Sequence, residues 1–448
     1  LSRIAFEMIL SSVSFPSPPV AFSSSFSMNV SSLPWSAQPS IKKIENRGNS
    51  LAFIPCTKPL ASSFVKGWKA FGKRGFLPKK ISSRAKVVFP YPEVRITLPL
   101  PHFSTNTGLS IISGELSEVL CNTPLGLYCQ AGDFYVDPKG SVERALVTHA
   151  HSDHARPGHE SYLCSSPSLP LLQLRLGKKA RIESIPFGEK RKIGKAQVSF
   201  HPAGHILGSA QVRVEVAGRV FVASGDYKPD NDRTCEEFEV VKCDRFISEC
   251  TFGLPVYRWK SEESVFEEMN RWWHENTLEG KPSLIFAYSL GKAQRVLSGL
   301  DRQIGPIHLH PAAYSFLEHY RAAGVSLPRA RKIVKGESID HSRSVIIAPP
   351  AVEDSGWTKS FKGCKKSMAS GWMTIRGPRR RQNLDQGFVL SDHADWNGLL
   401  RVIKETGAES VRLTHGNGDA LARYLGEMGI DGQTLENPSM AKEPEQGA

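Results

Sequence analysis

The 448-residue chain contains no run of 18 or more apolar residues and no cysteine pair at C-x-x-C spacing. The first absence argues against a membrane-spanning helix, which needs about 20 consecutive apolar residues. The second, with eight cysteines scattered singly, argues against a disulfide framework and a cysteine-built zinc site, and makes a reducing compartment the default. Acidic residues are scarce in positions 1–114, where three (Glu7, Glu45, Glu93) stand against 14 Lys and Arg. That stretch carries +11 of the +13 net charge; beyond it 43 basic residues nearly balance 41 acidic ones, so global charge does not point to a polyanion. No internal repeat is visible.

The leader, residues 1–114, is Ser-rich and Pro-interrupted ("SSVSFPSPPVAFSSSFSMNVSSLPW", then "FVKGWKAFGKRGFLPKK"). It has no clean apolar stretch before a small-residue cleavage site, so it fits an organellar transit peptide better than a secretory signal. Translated upstream sequence and a plain disordered extension are the alternatives, with Met8 and Met28 as candidate starts. The expected location is intracellular: plastid or mitochondrion on the transit reading, cytoplasm otherwise, with no membrane partner.

From about residue 120 the chain turns to short β-rich runs punctuated by Gly, Pro and Asp. "AQVRVEVAGRVFVASGD" (210–226) reads as a hairpin turning at Ala217-Gly218, with Val212, Val214 and Val216 on one face. "SVFEEMNRWWHENT" (264–277) and "GKAQRVLSGLDR" (291–302) read as helices, "PSLIFAY" and "SVIIAPPA" as strands, and 433–448 as a loose tail. Five apolar runs end on a residue capable of chemistry: "ALVTH" at His149, "VFVASGD" at Asp226, "RFISE" at Glu249, "FVLSDH" at His393 and "VRLTH" at His415. Strand ends are where open α/β sheets place their sites.

The densest concentration is "LVTHAHSDHARPG" (146–158). His149 and His151 stand two apart, so on a tight loop both imidazoles reach one ion, while Asp153 and His154 reach a second. Mixed imidazole and carboxylate donors suit Zn²⁺ or Mn²⁺.

"THAHSDH" resembles the signature loop of the metallo-β-lactamase-fold hydrolases, and "HPAGHILGSAQ" (201–211) and "SGDY" (224–227) resemble two later motifs of that fold. "SECTFG", "LSDHADW" and "LTHGNG" resemble motifs A, B and C of its β-CASP branch, nucleases acting on DNA or RNA. The ordered set over about 120–432 is most similar to the bacterial ligase-associated DNA exonucleases, through "GLYCQAGDFYVDP", "HAHSDHARPG", "AGHILGSAQV", "FGLPVYRW", "FAYSLGKAQR", "ASGWM" and "LSDHADW".

The resemblance implies an α/β fold: a four-layer αββα sandwich (115–261, completed by 385–432) with an inserted β-CASP domain (262–384). It implies two divalent metal ions, Zn²⁺ or Mn²⁺, one held by His149, His151, His205 and Asp226 and the other by Asp153, His154, Asp226 and His415. Asp153 is also counted as catalytic, His393 is the implied general acid, and Glu249 is its orienting carboxylate. His201, four residues before His205, reads as structural.

The implied reaction is phosphodiester hydrolysis, as a DNA exonuclease on single-stranded ends, in repair functionally associated with a DNA ligase. The alternative is an RNA-processing nuclease of the 3′-end-processing or RNA-decay type, favoured by His415, because DNA-specific eukaryotic members of the branch tend to lack that histidine. Arg379, Arg380 and Arg381 of "RGPRRRQ", with Arg376, read as a phosphate-holding cluster, and Lys292 at the start of a helix as a further phosphate contact. Trp259, Trp372 and Trp396 are placed in the core rather than under bases.

Overall fold

The computed structural model describes residues 40–44, 52–56 and 118–435, excluding 335–340, 354, 376 and 378–382. The chain divides into two compact units, Leu1–Ile112 and Ser113–Ala448. In the first, Ser40–Ile44 pairs antiparallel with Ala52–Cys56; most of the leader lies outside the described residues.

The second unit is built on three sheets. One has six strands in chain order, Cys121–Thr123, Gly126–Cys129, Phe134–Val136, Arg144–Leu146, Ser161–Ser165 and Ile182–Ile185. A second has seven, ordered in space as Asp431–Thr434, Ser410–Thr414, Arg245–Glu249, Arg219–Ala223, Ala210–Val216, Ala196–Pro202 and Arg191–Ile193. Their facing side chains form one core: Phe134, Val136, Leu146 and Leu163 from the first meet Val198, Phe200, Val212, Val214 and Phe221 from the second. Val212 and Val214 share this face because side chains alternate along a strand. At the hairpin tip Ala217 and Gly218 both take positive φ, 50° and 81°, the twist that matches a two-residue turn to its strands.

Helices close both outer faces. Leu169–Leu176 lays Leu171 and Leu172 on the six-stranded sheet beside Ala145, Val147 and Tyr162. Trp396–Thr406 packs Leu399, Val402 and Ile403 on the seven-stranded sheet with Val222, Phe246 and Val411. Asp395 caps that helix, its Oδ1 accepting from Gly398 N at 2.7 Å, and Gly407 ends it at φ 70°. The result is the expected αββα sandwich.

The third sheet belongs to the inserted segment. Its six strands, in the order Arg331–Lys332, Ile307–Leu309, Val345–Ala348, Ser283–Phe286, Lys365–Ala369 and Gln386–Phe388, are all parallel. "SLIF" and "VIIA" are buried throughout, as a parallel sheet covered on both faces requires. Helix Glu262–Leu278 starts where Ser261 Oγ accepts from Ser264 N, and it covers one face with Val265, Phe266, Met269 and Trp273.

Two expected boundaries shift. The insert was expected to end at 384, yet 386–388 hydrogen-bonds to Lys365–Ala369 as the sheet's edge strand, so the crossover to the sandwich falls after Phe388. The run "FVLSDH" thus leaves its strand five residues before His393. At the C-terminal side, Asp431–Thr434 pairs with 410–414, so residues 433 and 434, expected in a loose tail, belong to a strand; residues 436–448 lie outside the described residues.

Candidate metal centre

The strand after-runs converge. The loop following Arg144–Leu146 carries His149, His151, Asp153 and His154; the loop between 196–202 and 210–216 carries His205. Asp226 follows 219–223, Glu249 ends 245–249, and His415 follows 410–414. Gly225 is needed beside Asp226: at φ 56° it passes so close to Thr148 that a Cβ would lie 2.7 Å from the Thr148 Cβ. His415 itself sits at φ 52°, a conformation that turns the chain out of its strand.

One cluster brings four donors together. His151 Nδ1 lies 3.1 Å from His149 Nε2 and 3.1 Å from His205 Nε2, and Asp226 Oδ2 lies 3.6 Å and 3.8 Å from those two nitrogens. Donors at about 2.1 Å from a tetrahedral ion are separated by about 3.4 Å, so these spacings fit a divalent cation of zinc-like size. Burial pushes His149 and His151 below the usual histidine range and His205 down to about 3, which keeps all three in the neutral form that ligates.

A second cluster shares Asp226. His154 Nε2 lies 3.4 Å from Asp226 Oδ2 and 3.6 Å from Asp153 Oδ2, and His415 Nδ1 lies 3.8 Å from Asp226 Oδ1. His154 Nε2, Asp226 Oδ1 and His415 Nδ1 are buried atoms with no hydrogen-bond partner among the described residues. Facing polar atoms that satisfy nothing in the protein are what a cation would satisfy. Burial opposes charge on His154, but Asp226 and Asp137 outweigh it and hold the ring well above the usual histidine value, so a cation at Nε2 would have to displace its proton.

The outer ring of contacts aims these ligands. His205 Nδ1 bonds the Asp392 carbonyl at 2.8 Å, and His151 Nε2 the Leu290 carbonyl at 3.2 Å. His154 Nδ1 bonds Asp137 Oδ2 at 2.7 Å, and the same carboxylate accepts from Thr148 Oγ1 at 2.6 Å and Thr148 N at 2.9 Å. Beside the clusters, His393 Nδ1 is 2.8 Å from Glu249 Oε1. Burial pushes the His393 value down, yet Glu249 raises it to about 10, so the ring is protonated at neutral pH. Glu249 is fully buried and also accepts from Tyr227 N at 3.0 Å and Thr251 N at 3.2 Å, so both its oxygens are engaged by the protein.

The remaining expectations separate. Lys292 is not open to a phosphate: it is 2% exposed, and its Nζ bonds Asp392 Oδ1 at 2.6 Å and the Leu390 carbonyl at 3.0 Å. The reading failed because a lysine opening a helix looks the same whether it faces solvent or a carboxylate 100 residues away. Arg379, Arg380 and Arg381, with Arg376, lie outside the described residues. His201 bonds Ser199 Oγ and Glu239, away from the clusters. Trp396 is buried, and Trp259 and Trp372 are half-buried against Phe252.

Asp137 and Asp392, which stand behind His154 and His205, are not singled out by the sequence reading. For Asp137 a signal existed, since "FYVDP" is a sixth apolar run ending on a polar residue. Asp392 was hidden inside the motif that supplies His393.

Sandwich, parallel-sheet insert and shared Asp226 define a class: the metallo-β-lactamase fold carrying a β-CASP domain. Its relatives carry names consistent with that class. A probable DNA ligase of Opitutus terrae is 32% identical over 308 residues, 68% of this chain and 30% of that protein. An endoribonuclease YSH1 of Gibberella zeae is 28% identical over 38% of this chain and 20% of its own, and an RNase J-like protein of Methanocaldococcus jannaschii is 28% identical over 44% and 52%. The chain thus spans between a fifth and about half of these relatives. No family model matches it. Among the described residues no helix is long and apolar enough to cross a membrane.

Proposed function

We propose that the chain is a metal-dependent phosphodiester hydrolase that removes nucleotides from single-stranded DNA ends, in a reaction linked to strand joining. The observation that carries the hydrolase reading is Asp226, whose two oxygens face two separate histidine clusters while a protonated His393 stands beside them. The DNA reading is supported by the motif set and by a relative named for DNA ligation.

Bound at the two clusters, divalent cations would neutralise phosphate charge and bring the pKa of water toward ~7. His149, His151, His205 and Asp226 would hold one, and Asp153, His154, Asp226 and His415 the other, as Zn²⁺ or Mn²⁺. The protein's own residues do the rest. His149, His151 and His205 present lone pairs because burial denies them protons. Glu249 occupies His393 Nδ1, so Nε2 is the atom left to protonate the departing sugar oxygen.

A second reading, RNA processing, is favoured by His415, which stands within reach of Asp226, and by relatives named as endoribonucleases. End-labelled single-stranded DNA and RNA of one sequence, digested in parallel with Mn²⁺, Zn²⁺ and Mg²⁺, decide between them. Stepwise shortening of DNA, more from the 5′ end, is expected. RNA cut faster than DNA, or internal cuts in circular strands, moves the assignment to the second reading, and no cleavage of either polymer removes both.

A further inference from the structure

Lys292 is buried where sequence put a phosphate contact, and its position suggests a different task. His393 Nε2, the proton-donating atom above, has a carboxylate at its side: Asp392 Oδ1 is 3.8 Å away. In a buried site that oxygen competes for the Nε2 proton, as the nearby Asp226 carboxylate also does, because a charged acceptor binds an imidazolium more tightly than a neutral sugar oxygen does. The same Oδ1 is 2.6 Å from Lys292 Nζ, which the Leu390 carbonyl also anchors at 3.0 Å. Asp392 cannot shift as a whole, since its carbonyl is bonded to His205 Nδ1 and the neighbouring Ser391 carbonyl accepts from Arg295. Its Oδ1 therefore stands between the ammonium, at 2.6 Å, and the imidazole, at 3.8 Å. The lysine is brought there by Gly291, at φ 85° and packed so closely on Ile206 that a Cβ would lie 2.3 Å from its Cγ2.

We propose that Lys292 is a positioning residue: it holds the Asp392 carboxylate off His393 Nε2 and so keeps that proton available to the leaving group. The inference rests on the hydrolytic reading above. It differs from a role in folding or metal retention because it acts only where the leaving oxygen needs a proton.

The test compares two substrates with the Mn²⁺-loaded full chain, a thymidine oligonucleotide and thymidine 5′-(p-nitrophenyl) phosphate, whose p-nitrophenolate departs unprotonated. Lys292→Met should lose on the order of 10²-fold on the oligonucleotide and less than about threefold on the ester, with unchanged metal per chain. Lys292→Arg, which keeps a cation against Asp392, should recover much of the loss. The double variant Lys292→Met with Asp392→Ala removes both lysine and competing acceptor, leaves no unpaired buried charge, and should recover most oligonucleotide turnover. Equal losses on both substrates, or a double variant active on the ester and dead on the oligonucleotide, overturn the inference. If Lys292→Met does not fold, the double variant alone decides. Wild-type chain that cleaves neither of these substrates nor a matched RNA overturns the hydrolytic reading itself, an outcome no ratio between variants can imitate.

Discussion

The sandwich and the insert each contain an H-x-H pair, His149-x-His151 and His308-x-His310, and the two have opposite fates. In the sandwich the pair sits on a loop and points at His205 and Asp226. In the insert His308 lies within strand Ile307–Leu309, 1% exposed, its ring edge-on to His341 at 4.9 Å. His310 is spent on capping the next helix, its Nδ1 accepting from Ala312 N. Burial alone does not separate the two regions, since it lowers His205 to about 3 and His308 to about 4.

The group behind each ring separates them. Each candidate ligand of the first cluster has one nitrogen occupied by the protein, by Thr148 Oγ1, the Leu290 carbonyl or the Asp392 carbonyl, so the other points at a fixed place. Neither nitrogen of His308 has a hydrogen-bond partner among the described residues. A held back is what separates the candidate ligands of the first cluster from His308.

The largest break of this contrast is Asp226→Asn. It removes the anion common to both clusters, so both should lose affinity, and turnover should fall by about 10³-fold or more, as expected when several kcal/mol of charge stabilisation disappears. Metal content by plasma spectrometry and nuclease rate measured together check it. Two tightly held equivalents in that variant would dissolve the shared-ligand geometry.

His393→Ala comes next. It should retain metal and still lose on the order of 10²-fold or more in turnover, because on the proposed reading the lost group delivers a proton and holds no cation. Loss of an equivalent instead would make His393 a ligand.

Asp137→Asn sharpens the comparison within the sandwich. Asn accepts the positive φ of 44° found there, so the backbone is spared. The carboxylate behind His154 is lost, and the second cluster should weaken by about 10- to 100-fold in metal affinity while the first holds. A competitive chelator titration resolves the two classes; equal weakening of both would mean that Asp137 acts on the fold and not on His154.

Much of this centre was legible because its ligands are local in sequence. H-x-H-x-D-H places four donors within six residues, and Asp226 and His415 each end an apolar run whose strand direction fixes where they point, while His205 is legible only through its motif. Lys292 and Asp392 were not legible in the same way. Their pairing joins the insert to the returning chain across 100 residues, and a helix-opening lysine carries no mark of the carboxylate it will meet. The end of the insert was misjudged for a related reason: "QGF" is too short to announce a strand, and only its pairing with 365–369 assigns it to the third sheet. His308 makes the converse point, since H-x-H spacing alone does not make a candidate ligand.

The smallest expected effect is on the insert's acid stability. The folded value of His308 lies near 4 because burial, then His341 and Arg331, disfavour its charge. The unfolded chain returns it to about 6.5. The unfolded state therefore binds the proton more readily between those values, so the stabilising contribution is complete above about pH 6.5 and is lost as pH falls toward 4. His308→Phe fills a similar volume and cannot titrate. It should flatten the fall of the thermal midpoint across that window, with metal content at neutral pH unchanged. An unaltered acid slope in the variant would assign the pH dependence to the metal-centre histidines, and the two regions would then differ in chemistry without differing in how they carry their buried imidazoles.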